Sequence, residues 1–155
     1  GGQFWTPIRG QFCAPIDNVL YPVASPDYRA RLGNAADTVW DGDHDLISTI
    51  SDRRDWYSWD DWFRALDLPR RSGPPALTFN HFPDALYAAR AGQGIALGWD
   101  VLVQTYLSDG TLVRLGHANL VAEGRFHVVL SRSTPPRPAL LALAHWLQSA
   151  LLSRE

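Results

Sequence analysis

The segment Leu77–Trp99 constrains the fold most, because it alternates short apolar runs with an amphipathic one. Its order predicts a strand over 76–79, a polar turn, a helix over 83–91, a double-glycine turn and a second strand over 94–98. Such a unit is typical of α/β proteins with a mainly parallel sheet. The unit places Asn80 and His81 at the carboxyl end of a strand and the start of a helix, where open α/β sheets bind ligands.

The rest of the chain continues this alternation of strands and helices. Residues 1–15 are expected to be irregular, and Ser25 and Ser58 are predicted to cap the helices that follow them. Further strands are predicted over 19–25, 46–50, 112–115 and 126–130, and further helices over 26–32, 58–66, 101–107 and 138–152.

Composition limits the classes of function. The 155 residues are 46% hydrophobic and carry a net charge of −2, which allows a sizeable core but no basic face for nucleic acid. The single cysteine, Cys13, excludes an internal disulfide and fits a reducing compartment. The most apolar segment, Ala139–Leu152, is shorter than the roughly 20 residues of a membrane span. We therefore expect a cytoplasmic protein with no membrane partner.

Several motifs carry a resemblance to one family. Phe79 and the run Ala88–Gly98 resemble the effector-binding domain of LysR-type transcriptional regulators, in the subgroup of the glycine-cleavage and β-lactamase activators. Five more segments match landmarks of that domain in the right order, namely Gly1–Ile8, Leu20–Pro26, Trp56–Trp62, Thr111–Leu115 and Pro138–Leu152. Together these segments cover most of the chain.

The resemblance implies a periplasmic-binding-protein-like (type 2) effector domain, with a mainly parallel sheet flanked by helices. Residues 1–115 would form the second subdomain, and residues 116–155 would return into the first. Nothing in the chain resembles the family's N-terminal winged helix-turn-helix or the first strand–helix–strand portion of its first subdomain. We therefore expect one lobe to be incomplete.

The ligand-binding residues expected from the turn and from the resemblance are Asn80, His81 and Phe82. Phe79, Gly98 and Trp99 would form walls, and Ser25 would lie at the crossover between lobes, where a hinge would move. Two of these roles have a simpler alternative, because Asn80 or His81 could cap the helix and Trp99 could be a packing residue on the hinge side.

Other candidate sites are weaker. Trp56, Trp59 and Trp62 could form an aromatic box, but aromatic residues at helical spacing more often form core. The acidic loop 41–45 lacks the ligand spacing of a calcium site. The glycines of 92–98 follow a helix and open a strand, which is the reverse of a dinucleotide-binding fingerprint. We therefore expect no metal and no cofactor. No nucleophile motif is present either, so we expect no enzymatic activity.

The sequence therefore predicts the ligand-sensing domain of a LysR-type regulator. A small-molecule effector would bind between two lobes and control DNA binding by a helix-turn-helix outside this sequence, in a protein that self-associates as a dimer or tetramer. The alternative is a solute-binding protein of the same fold that delivers a small molecule to a transporter. An amino acid, an aromatic acid or a quaternary amine would each suit the site.

Overall fold

The computed structural model describes residues 10–12, 16–34, 44–51, 56–69, 73–131, 135 and 137–152. These residues fall into two compact units, a larger one within 18–124 and a smaller one within 1–17 and 125–155. The division therefore lies at 17–18 and 124–125, whereas the sequence analysis divides the chain after residue 115. The assignment of the two parts to the family's subdomains stays a prediction.

Strands and helices alternate along the chain. The strands are β1 (Gly10–Phe12), β2 (Ile16–Ala24), β3 (Leu46–Thr49), β4 (Leu77–Phe79), β5 (Ile95–Trp99), β6 (Val113–Arg114), β7 (Leu120–Phe126) and β8 (Val129–Ser131). The helices are α1 (Pro26–Leu32), α2 (Trp59–Ala65), α3 (Phe82–Arg90), α4 (Asp100–Ser108) and α5 (Pro138–Leu152).

The larger unit is built on a six-stranded sheet. Its order is β4-β3-β5-β2-β6, and β7 also pairs with β2. β3 runs parallel to both β4 and β5, while β2 runs antiparallel to β5 and β6. β3, β4, β5 and β6 therefore point one way and β2 runs against them, so the sheet is mixed, with its parallel part formed by β4, β3 and β5. The carboxyl ends of β4, β3 and β5 meet at one edge.

Local sequence signals fix where the helices begin. The Ser25 hydroxyl accepts a hydrogen bond of 3.1 Å from the Tyr28 N–H, and Pro26 occupies the first turn of α1. Ser58 and Asp61 form a reciprocal capping box at the start of α2. Both predicted caps are confirmed, and α5 spans the predicted residues. No helix of the described residues is long and apolar enough to cross a membrane.

The capping box of α2 makes stability dependent on pH. Asp61 accepts hydrogen bonds from the Ser58 N–H at 2.9 Å and the Ser58 Oγ at 2.7 Å, and it lies 3.2 Å from Arg64. Burial raises the pKa of the Asp61 carboxyl, but the hydrogen bonds and Arg64 together lower it below its ordinary value. The stabilisation is therefore present above the unfolded-state pKa of about 4 and is lost as pH falls through the lower, folded-state pKa.

We expect Ser58→Ala to reduce the free energy of unfolding by about 1 kcal/mol at neutral pH, because the first turn of α2 loses its cap. The loss should shrink in acid, where Asp61 is protonated in both proteins. Urea unfolding across a pH series measures both effects. Ser108→Ala is the control, since Ser108 is exposed at the end of α4. Equal losses at neutral and acidic pH would contradict the assigned role of Asp61.

The core of the larger unit packs α2, α3 and α4 on the sheet. Leu20, Ile95 and Trp62 are fully buried, and the Trp59 indole N–H donates a 2.8 Å hydrogen bond to the Ile47 carbonyl. This bond ties the first residue of α2 to the middle of β3. Trp59 and Trp62 are therefore core residues, as their helical spacing predicted.

The sequence analysis was wrong about the strands near both ends of the chain. Residues 10–12 form β1, which pairs antiparallel with β8, rather than an irregular segment. The single strand predicted over 126–130 is instead the end of β7 and the start of β8. β7 pairs with β2, whereas β8 pairs with β1. The two strands belong to different sheets, so the chain does not form one continuous strand here.

Candidate functional site

The candidate site lies at the edge where β3, β4 and β5 end. From β3 the chain passes through α2 to β4 on one side of β3, and then through α3 to β5 on the other side. The connections that follow β3 and β5 therefore run in opposite directions from this edge, which is the topological condition for a crevice between the two strands. Parallel α/β sheets bind ligands at such switch points.

A cleft occupies this position. It is narrow and partly open to solvent, with a cavity volume of about 10 Å³, and we call it the aromatic cleft. Among the residues that the structure describes, none that lines the cleft carries a carboxylate, ammonium or guanidinium group. Those that line it are Ile47, Ser48, Thr49, Trp56, Tyr57, Ser58, Trp59, Phe82, Ala96, Leu97 and Trp99.

Four aromatic rings in mutual contact dominate the cleft. The Trp56 ring lies 5.3 Å from the Phe82 ring, nearly edge-on, and 5.3 Å from the Trp99 ring. The Tyr57 ring meets Trp99 at 5.9 Å, also edge-on. Trp99 is only 2% exposed, whereas Trp56, Tyr57 and Phe82 are half-buried. Trp99 therefore forms the floor, and the other three rings form walls that solvent still reaches.

Two hydroxyl groups in the cleft are available to a ligand. Ser48 and Thr49 are half-buried at the carboxyl end of β3, and neither side chain is hydrogen-bonded to another described residue. The Ser58 hydroxyl is engaged by Asp61, and the Tyr57 hydroxyl accepts a 3.1 Å hydrogen bond from the Glu123 N–H. Since successive strand residues point to opposite faces of the sheet, the Ser48 and Thr49 hydroxyls do not converge on one point of the cleft.

The start of α3 adjoins the cleft through Phe82. His81 holds the N-cap position, but its side chain makes no hydrogen bond to the helix, so the imidazole does not cap α3. Asn80 and His81 are both exposed. Pro83 has no N–H, and the Asp84 N–H turns back to the His81 carbonyl at 3.2 Å. A ligand at this turn would therefore depend chiefly on the two side chains and the helix dipole.

The structure brings some of the predicted site residues together and separates others. Phe82 and Trp99 both line the aromatic cleft, while Phe79 is half-buried at the end of β4, just before Asn80. Gly98 is buried in β5, where an added Cβ would lie 3.0–3.1 Å from Val103 and Val23.

Neither Ser25 nor Gly98 is among the described residues that line the cleft. Ser25 is buried, and its hydroxyl caps α1. The ligand-binding roles of all seven predicted residues stay predictions.

Ser48, Thr49 and Tyr57 were not predicted as site residues, and Trp56 was considered only as part of a weaker candidate, an aromatic box with Trp59 and Trp62. The carboxyl-end rule that selected Asn80 would have selected Ser48 and Thr49, because they end another predicted strand. Trp56 shares the spacing of Trp59 and Trp62, but α2 begins only at Trp59, so Trp56 lies before the helix and faces the cleft.

Within the described ranges, no group of three or more His, Cys, Asp or Glu side chains is placed to hold a metal ion. Residues 41–43 of the acidic loop lie outside those ranges.

Comparisons with known proteins identify the relatives of the chain. A model of the LysR substrate binding domain family matches residues 16–152. The uncharacterized HTH-type transcriptional regulator y4mQ of Sinorhizobium fredii is 31% identical over 137 residues, which are 84% of this chain and 42% of that protein. The glycine cleavage system transcriptional activator of Escherichia coli is 31% identical over 104 residues, 67% of this chain and 33% of that protein. The chain spans less than half the length of either relative.

Solved structures share the fold. The effector domain of the regulator AmpR from Pseudomonas aeruginosa matches with a TM-score of 0.66 at 24% identity, covering 99% of this chain and 70% of that domain. The AmpR effector binding domain from Citrobacter freundii matches with a TM-score of 0.68 at 22% identity, covering 99% and 72%. The predicted periplasmic-binding-protein-like fold is confirmed. The sequence relatives are transcriptional regulators, which favours a sensing domain over a solute-binding protein for transport.

Proposed function

The chain belongs to the LysR substrate-binding domain family, and from this premise we propose that it senses a small-molecule effector for a transcriptional regulator. The regulator would act in the cytoplasm, contact DNA through a helix-turn-helix outside this sequence and work as a dimer or tetramer. The chain itself would catalyse no reaction. Its role would be to bind the effector and to couple that binding to the DNA-binding part of the regulator.

The aromatic cleft is the observation that carries this proposal. It lies where parallel strands end, and it combines the half-buried Trp56, Tyr57 and Phe82 with Ser48 and Thr49, whose hydroxyls have no hydrogen-bond partner among the described residues. Next to it, the side chains of Asn80 and His81 are exposed at a helix start and make no capping bond. Small-molecule sites are typically apolar concavities of this kind with a few directed polar groups.

The effector would act by binding one conformation of the regulator more tightly than another. A ligand shifts an equilibrium only by the difference between its affinities for the two states. A coupling of about 1–3 kcal/mol, typical of allosteric proteins, would change DNA affinity by about 5- to 150-fold. We propose that contacts in the aromatic cleft and at the start of α3 supply this difference.

The test is the double variant Asn80→Ala/His81→Ala in the full-length protein. Both side chains are exposed, so we expect its stability without ligand to stay within about 0.5 kcal/mol of wild type. A metabolite present at a hundredfold excess over its Kd should stabilise the wild type by about 2.7 kcal/mol. We expect the double variant to lose most of this stabilisation, as measured by thermal denaturation with and without the metabolite.

The matched control is Gln93→Ala/Thr105→Ala, which removes two other exposed polar side chains of the same unit. It should keep the full ligand response. If the Asn80/His81 variant responds to the metabolite as wild type does, those residues do not bind the effector. If no metabolite of a broad set stabilises the folded wild type, the sensing function itself is contradicted.

A further inference from the structure

We infer that Tyr57 is a positioning residue that transmits movement of the cleft wall to β7, the strand in which the chain leaves the larger unit. Its ring belongs to the wall of the aromatic cleft, and its hydroxyl holds the backbone of β7 at Glu123. This inference rests on the proposed function, because it names how binding at the cleft would be communicated to the rest of the regulator.

The cleft is too narrow to receive a ligand unless its wall moves. Its cavity volume of about 10 Å³ is enough for about one water molecule. Typical small-molecule sites begin at roughly 300 Å³. A ligand that enters the cleft therefore favours a conformation in which part of the wall is displaced, and its binding is linked to that displacement.

The wall formed by Trp56 and Tyr57 is the part that can move. Trp99 is 2% exposed, ends β5 and pairs with Leu20 of β2, so the sheet fixes its position. Trp56 and Tyr57 are half-buried and lie before the first turn of α2. Their rings meet the Trp99 ring at 5.3 and 5.9 Å. Because these two rings are held on the floor by side-chain contacts and not by strand pairing, widening of the cleft displaces them.

The Tyr57 hydroxyl carries such a displacement out of the cleft. It accepts a 3.1 Å hydrogen bond from the Glu123 N–H, 66 residues further along the chain. Glu123 lies in β7, just before the division between the two units at 124–125. Movement of Tyr57 away from Glu123 takes the acceptor from this backbone N–H. The position of the ring and the local order of β7 are therefore coupled.

The segment that enters β7 is held separately. The Arg114 guanidinium donates hydrogen bonds to the His117 and Ala118 carbonyls, at 3.0 and 3.3 Å, and packs over the Tyr21 ring. These contacts lie before β7 begins and involve no residue of the cleft wall. A displacement of Tyr57 therefore acts on the Glu123 end of the strand, next to the division.

The experiment is hydrogen–deuterium exchange of the full-length protein without any ligand, resolved to single amides by fragmentation. Trp56→Leu perturbs the cleft wall, because it removes a ring that contacts Trp99 and leaves the Tyr57 hydroxyl in place. We expect it to speed exchange of the Glu123 amide about threefold to tenfold, which corresponds to the net strength of one hydrogen bond. Phe82→Leu removes the other ring that packs on Trp56 and should act in the same direction.

The double variant Trp56→Leu/Tyr57→Phe provides the decisive comparison. Tyr57→Phe keeps the ring but lacks the hydroxyl, so alone it should speed exchange of the Glu123 amide at least as much as Trp56→Leu does. Once the hydroxyl is absent, Trp56→Leu should have no further effect, so the two factors do not multiply. Tyr87→Ala is the control, since that ring is 65% exposed and lies outside the cleft, and it should leave the Glu123 amide unchanged. Exchange in residues 117–119 should stay as in wild type in every variant.

A purely structural role of Tyr57 gives a different result. Tyr57→Phe would then speed exchange at Glu123, whereas Trp56→Leu and Phe82→Leu, shown by urea unfolding to be folded, would leave it as in wild type. That result, or factors that multiply in the double variant, would overturn the inference. Because no ligand is used, such a failure leaves the sensing function standing, and the Asn80→Ala/His81→Ala experiment tests that function separately.

Discussion

Replacing Gly94 with alanine will lower the free energy of unfolding by about 3 kcal/mol or more. Gly94 immediately precedes β5 and has a φ of +153°, in a region that side chains rarely adopt. An added Cβ would lie 2.2 Å from the Asp45 carbonyl oxygen and 3.1 Å from the Ile47 side chain. The carbonyl belongs to backbone that must stay in place, because it accepts a 2.8 Å hydrogen bond from the Ile95 N–H where β3 meets β5.

Gly110→Ala separates the clash from the backbone strain. Gly110 also has a positive φ, +74°, but nothing lies within 4 Å of an added Cβ there. Its substitution should lower the free energy of unfolding by only about 1–2 kcal/mol. Urea unfolding of both variants, followed by tryptophan fluorescence, measures the difference. Equal losses would mean that the close approach at Gly94 is not what requires glycine.

Trp59→Ala is expected to reduce the free energy of unfolding by about 3–5 kcal/mol, the range for truncating a large buried aromatic residue. Trp59 is 7% exposed, stacks on Phe63 at 5.8 Å and donates its indole N–H to the Ile47 carbonyl. Its loss also removes a lining residue of the aromatic cleft. The variant should therefore bind the effector less well even where it is still folded.

Two other variants test this account of Trp59. Trp59→Phe keeps the ring but not the N–H, so it should lose less stability than Trp59→Ala while leaving the Ile47 carbonyl without that donor. Tyr87→Ala removes an aromatic side chain that is 65% exposed and should have a small effect. Urea denaturation compares the three variants. A loss below about 1 kcal/mol for Trp59→Ala would contradict its place in the core.

Short-range signals account for the parts of the fold that the sequence predicts well. Ser25 and Ser58 each precede a helix by one residue, and the capping bonds they form involve neighbours only three positions away. The spacing of Trp59, Trp62 and Phe63 likewise fixes which face of α2 is buried. Such interactions are decided within a few residues, so they can be read from the sequence.

The parts that were not predicted depend on contacts between distant segments. No local feature of residues 126–131 shows that β7 pairs with β2 and β8 with β1. The aromatic cleft joins residues around 48, 57, 82 and 99, which come together only after β3 has paired with both β4 and β5. Spacing and composition therefore gave no reason to choose Thr49, and the spacing of Trp56 with Trp59 and Trp62 favoured a core position for Trp56 rather than one in the cleft.

Asn80 and His81 show which features of the site can be predicted from the sequence. The order of strand, turn and helix placed them correctly at the start of α3, beside the end of β4. That order does not show that the two side chains make no capping bond to α3. It also does not show that an aromatic cleft lies beside them, with hydroxyl groups that have no partner among the described residues. Those two facts are what make the turn a candidate site rather than an ordinary helix cap.

Hydrogen–deuterium exchange of the full-length protein tests the central claim most directly. The metabolite that gives the largest thermal stabilisation would be compared with no ligand. We predict that added protection is concentrated in residues 46–51, 56–59 and 79–84, which surround the aromatic cleft and the start of α3. Protection confined to other segments, such as 101–119, would contradict the claim that the effector binds there.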